Sequence, residues 1–195
     1  MNKMKTISII LLVLVLSLNG FSGDLKADNV KSYEQPVLLT SIGQAADVLI
    51  MKGLCKKAGV DVQLIKQATG DSLAGFKAVI IVAGGSSKGL GAAKIDISDE
   101  EARGAQLVEA AKKAGIPVLA FHIGGEARRG ALSDGFNKLA ANSAELIVVA
   151  ADGDMDKMFA KAAKKSKARY IHIDKKFDAI DVLKDLFPKV EATEE

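Results

Sequence analysis

Short apolar runs alternate with amphipathic stretches along most of the chain. The apolar runs predict buried strands over residues 36–42, 60–65, 77–83, 117–123, 144–150 and 169–173. The spacing of apolar residues predicts helices over 44–58, 98–114, 129–142, 154–165 and 177–187, with a short turn at 71–75. Wholly apolar strands separated by helices indicate a parallel sheet that is covered on both faces. The predicted fold class is α/β: a three-layer, doubly wound, Rossmann-like or flavodoxin-like sheet of five to six mostly parallel strands in a single domain.

Local signals set the predicted helix ends. Gly59 and Gly115 are typical residues just beyond a helix. Ser98, with Glu101 three residues later, predicts the start of the second long helix through a capping box. In the terminal helix, the helical period places Phe177, Ile180, Leu183 and Phe187 on one side, which we expect to face the core.

The first residues have the pattern of a secretory signal peptide. Lys3 and Lys5 precede an apolar run over residues 7–18, and the small residues Gly20 and Ser22 follow it. This run is shorter than the roughly 20 residues that a membrane-spanning helix needs, although retention as an anchor stays an alternative. No cysteine lies near its end, which excludes a lipoprotein. We therefore predict a signal peptide at 1–22, a polar spacer at 23–35, the domain at 36–190 and a polar tail at 191–195, in an exported, extracytoplasmic protein that meets the membrane only through its signal segment.

Composition narrows the possible functions. The chain has 27 Lys plus Arg and 24 Asp plus Glu, so removal of Lys3 and Lys5 with the signal peptide lowers its net charge from +3 to +1. A nearly neutral domain argues against a nucleic-acid partner. One cysteine and two histidines exclude a disulfide scaffold and leave little for a metal centre, so we predict no metal and no cofactor. Cys55 lies on the apolar side of the first helix and is expected in the core.

Candidate binding residues follow three of the predicted strands. In open α/β sheets, ligands bind beyond the carboxyl ends of the strands. Segment 84–96, after the third strand, is longer than most connections and is predicted to be a glycine-rich loop. Backbone N–H groups of such a loop can face an anion, and two arginines after the fourth strand can bind a carboxylate or phosphate. The predicted ligand-binding residues are Ser41, Gln44, Gly84, Gly85, Ser86, Ser87, Lys88, Gly89, Gly124, Gly125, Arg128 and Arg129.

These residues predict a small polar or anionic ligand. The alternative is that the loop is flexible and the arginines are solvated, with no ligand at this position. The spacing of Gly85, Gly89 and Gly91 also resembles the glycine turn of short-chain dehydrogenases. However, it follows the third strand rather than the first, and the next helix is predicted to begin only at Ser98. Neither tyrosine of the mature chain is followed by a lysine four residues on, so a nicotinamide cofactor is not predicted.

His122 and Glu126 support an alternative function as an extracytoplasmic hydrolase or transferase. His122 ends the fourth strand and could act as an acid–base group, but burial in the core is the preferred interpretation. Glu126 could partner either His122 or Arg129. A third hypothesis is a protein-interaction module on the basic helix face formed by Lys157, Lys161, Lys164, Lys165 and Lys167. The alternating Asp152, Asp154 and Asp156 lack the remaining residues of a calcium loop, so Asp152 or Asp154 is expected to cap a helix.

Three segments together resemble one protein family. They are QPVLLTSIGQAADV, VAGGSSKGLGAAKID and FHIGGEARRGALSDGF. The chain is similar, from about Gln35 to the last strand, to an uncharacterised family of exported bacterial proteins, the domain of unknown function 6305. The resemblance implies export but no activity, cofactor or residue role. Its segments fall after the first, third and fourth strands, at the predicted site.

Overall fold

The computed structural model describes residues 31–188, which contain one parallel sheet of six strands. The strands are β1 Val37–Ile42, β2 Val62–Leu64, β3 Ala78–Ala83, β4 Val118–His122, β5 Leu146–Ala150 and β6 Arg169–Ile173. Their order is β2-β1-β3-β4-β5-β6, and every neighbouring pair is parallel. This is the flavodoxin-like order with one further strand. The predicted fold class is confirmed, at the upper end of its strand number.

Helices cover both faces of the sheet. The helices are α1 Asp47–Ala58, α2 Ser87–Ala93, α3 Ile97–Lys113, α4 Asp134–Ser143, α5 Met158–Ser166 and α6 Ala179–Leu186. Met51 of α1 and Leu183 of α6 belong to the core on one face. Leu107 of α3, Phe136 of α4 and Phe159 of α5 belong to the core on the other face. The result is a three-layer α/β/α arrangement.

Burial along the strands explains their composition. Every residue of β1, β3, β4 and β5 is buried, because both sides of these central strands face a helix layer. The edge strands β2 and β6 are only partly buried. The chain leaves β1 toward one face through α1 and leaves β3 toward the other through α2 and α3. The carboxyl ends of β1 and β3 therefore flank the switch point at which such folds bind ligands.

The prediction of a long loop at residues 84–96 is wrong, because more than half of this segment is helical. Helix α2 begins at Ser87 after only three connecting residues, and the Ser86 hydroxyl caps it by accepting the Gly89 N–H at 3.1 Å. The predicted cap of α3 is also wrong by two residues: the helix begins at Ile97, and Asp96 accepts the Asp99 N–H at 2.8 Å. Gly89 and Gly91 lower the helix propensity of α2, which hides it from sequence reasoning.

The terminal helix is shorter than predicted. A 3₁₀ turn at Lys176–Asp178 precedes α6, so Phe177 is 56% exposed instead of facing the core. Leu183 and Phe187 are buried, as expected. Within residues 31–188, no helix is long and apolar enough to cross a membrane. The predicted signal peptide and polar tail lie outside the described residues.

Candidate functional site

The loops after β1 and β3 touch each other through their backbones. Gln44 and Gly85 form an antiparallel bridge. The Ser86 N–H donates to the Gly43 carbonyl at 2.9 Å, and the Gly84 N–H donates to the Ile42 carbonyl at 3.0 Å. The switch-point crevice is therefore filled by the chain itself.

Close packing accounts for three of the glycines at this point. A Cβ atom on Gly85 would lie 2.4 Å from the Leu132 carbonyl oxygen, and one on Gly89 would lie 2.1 Å from the Gln44 carbonyl oxygen. Gly43 combines a φ of +98° with a Cβ position only 2.3 Å from the Gly84 carbonyl oxygen. A larger residue at Gly43 or Gly89 would push the β1 loop away from the segment after β3, and one at Gly85 would collide with Leu132. The glycine pattern thus has a packing function, whatever ligand it binds.

A buried ion pair holds the β1 loop from beneath. Glu100 is 0% exposed, and its carboxylate accepts the Gly43 N–H at 2.8 Å and the Gln44 amide at 3.0 Å. Arg103 donates to the same carboxylate at 2.7 Å and to the Ser41 carbonyl at 2.7 Å. Sequence reasoning missed this pair. The signal was available, because Glu100 is in helical register with the buried Leu107 and Ala111.

The structure places the predicted residues of the β1 and β3 loops at different depths. Ser41 is fully buried and donates to the Val82 carbonyl at 3.2 Å, and Gln44 is turned toward Glu100. Gly84 and Gly85 are buried, and Ser86 is half-buried at its capping position. Only Ser87 and Lys88 of this group are exposed, on the first turn of α2.

Both predicted arginines face carboxylates of this chain. Arg128 lies 2.6 Å from Asp47, and its aliphatic part packs over Gly84 and Gly124. Arg129 lies 2.8 Å from Asp134 and 2.8 Å from Asp156. It also donates to the Gly153 carbonyl at 2.6 Å. Their charges are balanced internally, so the two side chains do not form a free clamp for an anion.

The arginine also sets the ionisation of its partners. The hydrogen bond from Arg129 lowers the pKa of Asp156 to about 2, and hydrogen bonding to Asp156 raises the pKa of Arg129. Burial alone would raise the pKa of Asp134, but hydrogen bonding and the charge of Arg129 outweigh burial and lower it. All three groups are therefore charged at neutral pH.

His122 is buried, which confirms the preferred interpretation. The side chain is 1% exposed, packs on the Phe159 ring at 4.8 Å, and places Nε2 at 3.1 Å from the Gly125 carbonyl. Burial disfavours the imidazolium and lowers the pKa of His122. The predicted pairing of Glu126 with His122 or Arg129 is wrong: within residues 31–188 its carboxylate bonds neither, and it is exposed. The proposed acid–base pair is not assembled.

Asp154 and Cys55, away from the loops, take the roles predicted for them. Asp154 accepts the Phe159 N–H at 2.7 Å and the Ala160 N–H at 2.9 Å in the first turn of α5, although Lys157 occupies the N-cap position. Cys55 is fully buried, and burial raises the pKa of its thiol to about 12. No group of three or more potential metal ligands occurs in the described part of the chain. The lysines of α5 are exposed, and their binding of a partner stays a prediction.

An open groove lies beside the locked loops. It has a volume of about 590 Å³ and lies between α2, the start of α3 and Leu132. This volume is within the range of small-molecule pockets. Its walls are mainly apolar, and Ser87 is the member of the predicted set that reaches it. The groove is lined by Ser87, Leu90, Gly91, Ile95, Asp96, Ile97, Ser98, Glu101 and Leu132.

The fold and the groove define a doubly wound α/β protein with a concave surface at the carboxyl edge of its sheet. The chain belongs to the family described as Domain of unknown function (DUF6305), whose model matches residues 34–187. No curated protein matches it. Among solved structures, it is similar to AlinE4, an SGNH-hydrolase family esterase, with 11% identity over 83% of this chain and 87% of that chain and a TM-score of 0.30. A Schiff base forming fructose-1,6-bisphosphate aldolase matches with 13% identity over 82% and 94% and a TM-score of 0.32.

Proposed function

We propose that this protein binds a small molecule in the groove between α2 and α3. The observation that carries the proposal is the position of the groove, which opens beyond the carboxyl end of β3 beside the switch point. Leu90, Ile95 and Leu132 supply an apolar surface, and Ser87 supplies a hydroxyl. A ligand with an apolar body and one polar group matches this lining.

Charge narrows the ligand class. Asp96 and Glu101 line the groove, and no lysine or arginine of residues 31–188 does so. The Asp96 carboxylate is engaged in capping α3. Glu101 accepts no hydrogen bond from the described residues and lies against Gly135 at the start of α4. The carboxylate at this position favours a neutral or cationic polar group on the ligand. Of the two ligand classes predicted from sequence, polar and anionic, the groove therefore supports the polar one.

Binding can be tested with three ligands that share one apolar chain. Octylammonium, octanol and octanoate differ mainly in head-group charge. Amide NMR shifts of residues 87–101 and 132 report on this site, and we expect octylammonium to bind there most tightly and octanoate least tightly. Equal affinity of all three ligands at these residues, or no binding of octylammonium to folded protein, would contradict the proposal.

A matched pair of variants locates the site. Ile97 lines the groove and is 48% exposed, whereas Ile50 is 37% exposed on α1, away from the groove. Ile97→Arg adds a cation to the groove and should abolish octylammonium binding. Ile50→Arg makes the same change elsewhere and should leave the affinity unchanged. Equal losses in the two variants would place the ligand outside the groove.

Export forms a second part of the proposal. Its support is the sequence pattern of residues 1–22, a basic start followed by an apolar run and small residues. Expression in a bacterial host followed by mass spectrometry of the extracytoplasmic fraction tests it. We expect a mature chain that begins at Gly23. An intact chain in the cytoplasm would contradict export.

A further inference from the structure

A second cavity lies at the opposite edge of the sheet. It has a volume of about 900 Å³ and is lined by the amino ends of β3 and β4, the end of α3 and the residues that precede β1. None of the sequence-predicted site residues reaches it. Its location separates it from the α2–α3 groove by the length of the sheet.

The fold concentrates lysines at this amino edge. The long helices begin at the carboxyl edge and end at the amino edge, because each follows a parallel strand. Helix α1 ends with Lys56 and Lys57, and α3 ends with Lys112 and Lys113. Helix α5 ends with Lys164 and Lys165. Lysines at helix ends balance the helix dipole, and the parallel arrangement gathers them on one side of the molecule.

Two lysines at the cavity are available to a ligand. Lys77 and Lys112 are exposed, and neither has a carboxylate partner within 4.0 Å among the described residues. Lys31, in contrast, lies 2.6 Å from Glu145 and over the Tyr33 ring. Because Lys77 precedes β3 and is not part of a helix, the helix dipole does not account for its charge. Apart from the Lys31–Glu145 pair, the lining holds two cations and one acid, Glu34.

Apolar side chains form part of the remaining lining, beside the polar Ser32, Tyr33 and Ser143. Among the apolar residues, Leu73 and Val118 are buried, and Phe76, Ile116 and Pro117 are half-buried. Apolar side chains in the same cavity as two lysines suit an amphiphilic anion. The volume is at the upper end of the range for small-molecule pockets, so a short apolar chain can be enclosed.

We propose that the amino-edge cavity binds a free amphiphilic anion, a carboxylate or phosphate monoester on a short apolar chain. Lys77 and Lys112 hold the head group, and Phe76 and Ile116 contact the chain. This site takes the opposite charge from the α2–α3 groove and is independent of it. Failure of either proposal leaves the other unchanged.

Calorimetry with octanoate, octyl phosphate, octanol and inorganic phosphate tests the ligand class. At this cavity, followed by amide NMR shifts of residues 73–77 and 112–118, we expect the two amphiphilic anions to bind at least tenfold more tightly than octanol or inorganic phosphate. Octanol binding as tightly as octanoate at these residues would overturn the assignment of the lysines. A separate experiment uses vesicles of anionic phospholipid. If the protein binds these vesicles but not monomeric octanoate, the proposal that the ligand is a free molecule is overturned.

Matched variants test the position. Lys77→Ala combined with Lys112→Ala removes both cations from the cavity and should weaken octanoate binding at least tenfold. Lys56→Ala combined with Lys57→Ala removes the same charge from the same edge outside the cavity and should change affinity less than twofold. Because all four lysines are exposed, both proteins should fold, which circular dichroism checks. Equal weakening in the two variants would indicate general charge attraction and would overturn the site.

Discussion

The two edges of the sheet use their polar residues in different ways. At the carboxyl edge, Arg128 and Arg129 face carboxylates, and Glu100 is enclosed by donors. At the amino edge, Lys77 and Lys112 have no carboxylate partner among residues 31–188. A glycine-rich segment near two arginines is typical of anion binding. In this protein, however, the glycines allow the loops after β1 and β3 to pack together, and the arginines pair with carboxylates. The comparison teaches that charge becomes available to a ligand only where the fold leaves it unpaired.

The largest expected effect comes from the buried ion pair under the β1 loop. Glu100→Ala leaves Arg103 without its carboxylate and Gly43 without an acceptor. Removing one partner of a buried pair costs about 3–5 kcal/mol, so urea denaturation should show a loss of that size. Glu109→Ala breaks the exposed pair with Lys113 and is the control, with little expected change. Similar results for both variants would contradict a special role of the carboxyl-edge network.

Two glycines of α2 sharpen the comparison. Gly89→Ala places a Cβ atom against the Gln44 carbonyl and should destabilise the fold by about 1–3 kcal/mol through overpacking. Gly91 has open space at the corresponding position. Gly91→Ala should therefore stabilise the protein by up to about 1 kcal/mol through helix propensity. Thermal unfolding measures both, and a loss in Gly91→Ala as large as in Gly89→Ala would refute the packing explanation.

His122 predicts a pH dependence of stability. Its pKa is lowered in the folded state because it is buried, so below the ordinary value of about 6.5 the unfolded chain binds more protons. The free energy of unfolding should fall as pH decreases from 7 to 5, by at most about 1.4 kcal/mol per pH unit for one proton. His122→Gln should reduce this slope, whereas His172→Gln, which changes an exposed histidine, should retain it. The lowered pKa of Asp156, about 2, also contributes to the stability of the fold, but this contribution is lost only at pH values below those of the His122 effect.

The smallest expected effect separates Arg128 from anion binding. Arg128→Ala removes a half-buried pair with Asp47 and should cost about 1 kcal/mol or less. Octanoate affinity should stay within twofold, because the proposed anion site is at the other edge. A tenfold loss of octanoate affinity in this variant, measured by calorimetry, would contradict this expectation and would place the anion at the loop predicted from sequence.

The central strands could be predicted because short, mainly apolar runs that alternate with helices are typical of a parallel sheet covered on both faces. Predicted bounds lie within two residues of β1, β2, β3, β4, β5 and β6. Helix α2 could not be found in the same way, since Gly89 and Gly91 weaken its pattern. The pairing of Arg128 with Asp47 joins residues that are distant in sequence. Neither cavity could be predicted, because both depend on how separate elements pack.

The contrast between the edges can be measured most directly by NMR. Amide chemical shifts of the ¹⁵N-labelled protein are followed during titration with octanoate and, separately, with octylammonium. The account predicts that octanoate shifts residues 73–77 and 112–118, and that octylammonium shifts residues 87–101 and 132. Octanoate shifts centred on residues 84–89 and 124–129 would contradict it and would place the anion at the carboxyl edge.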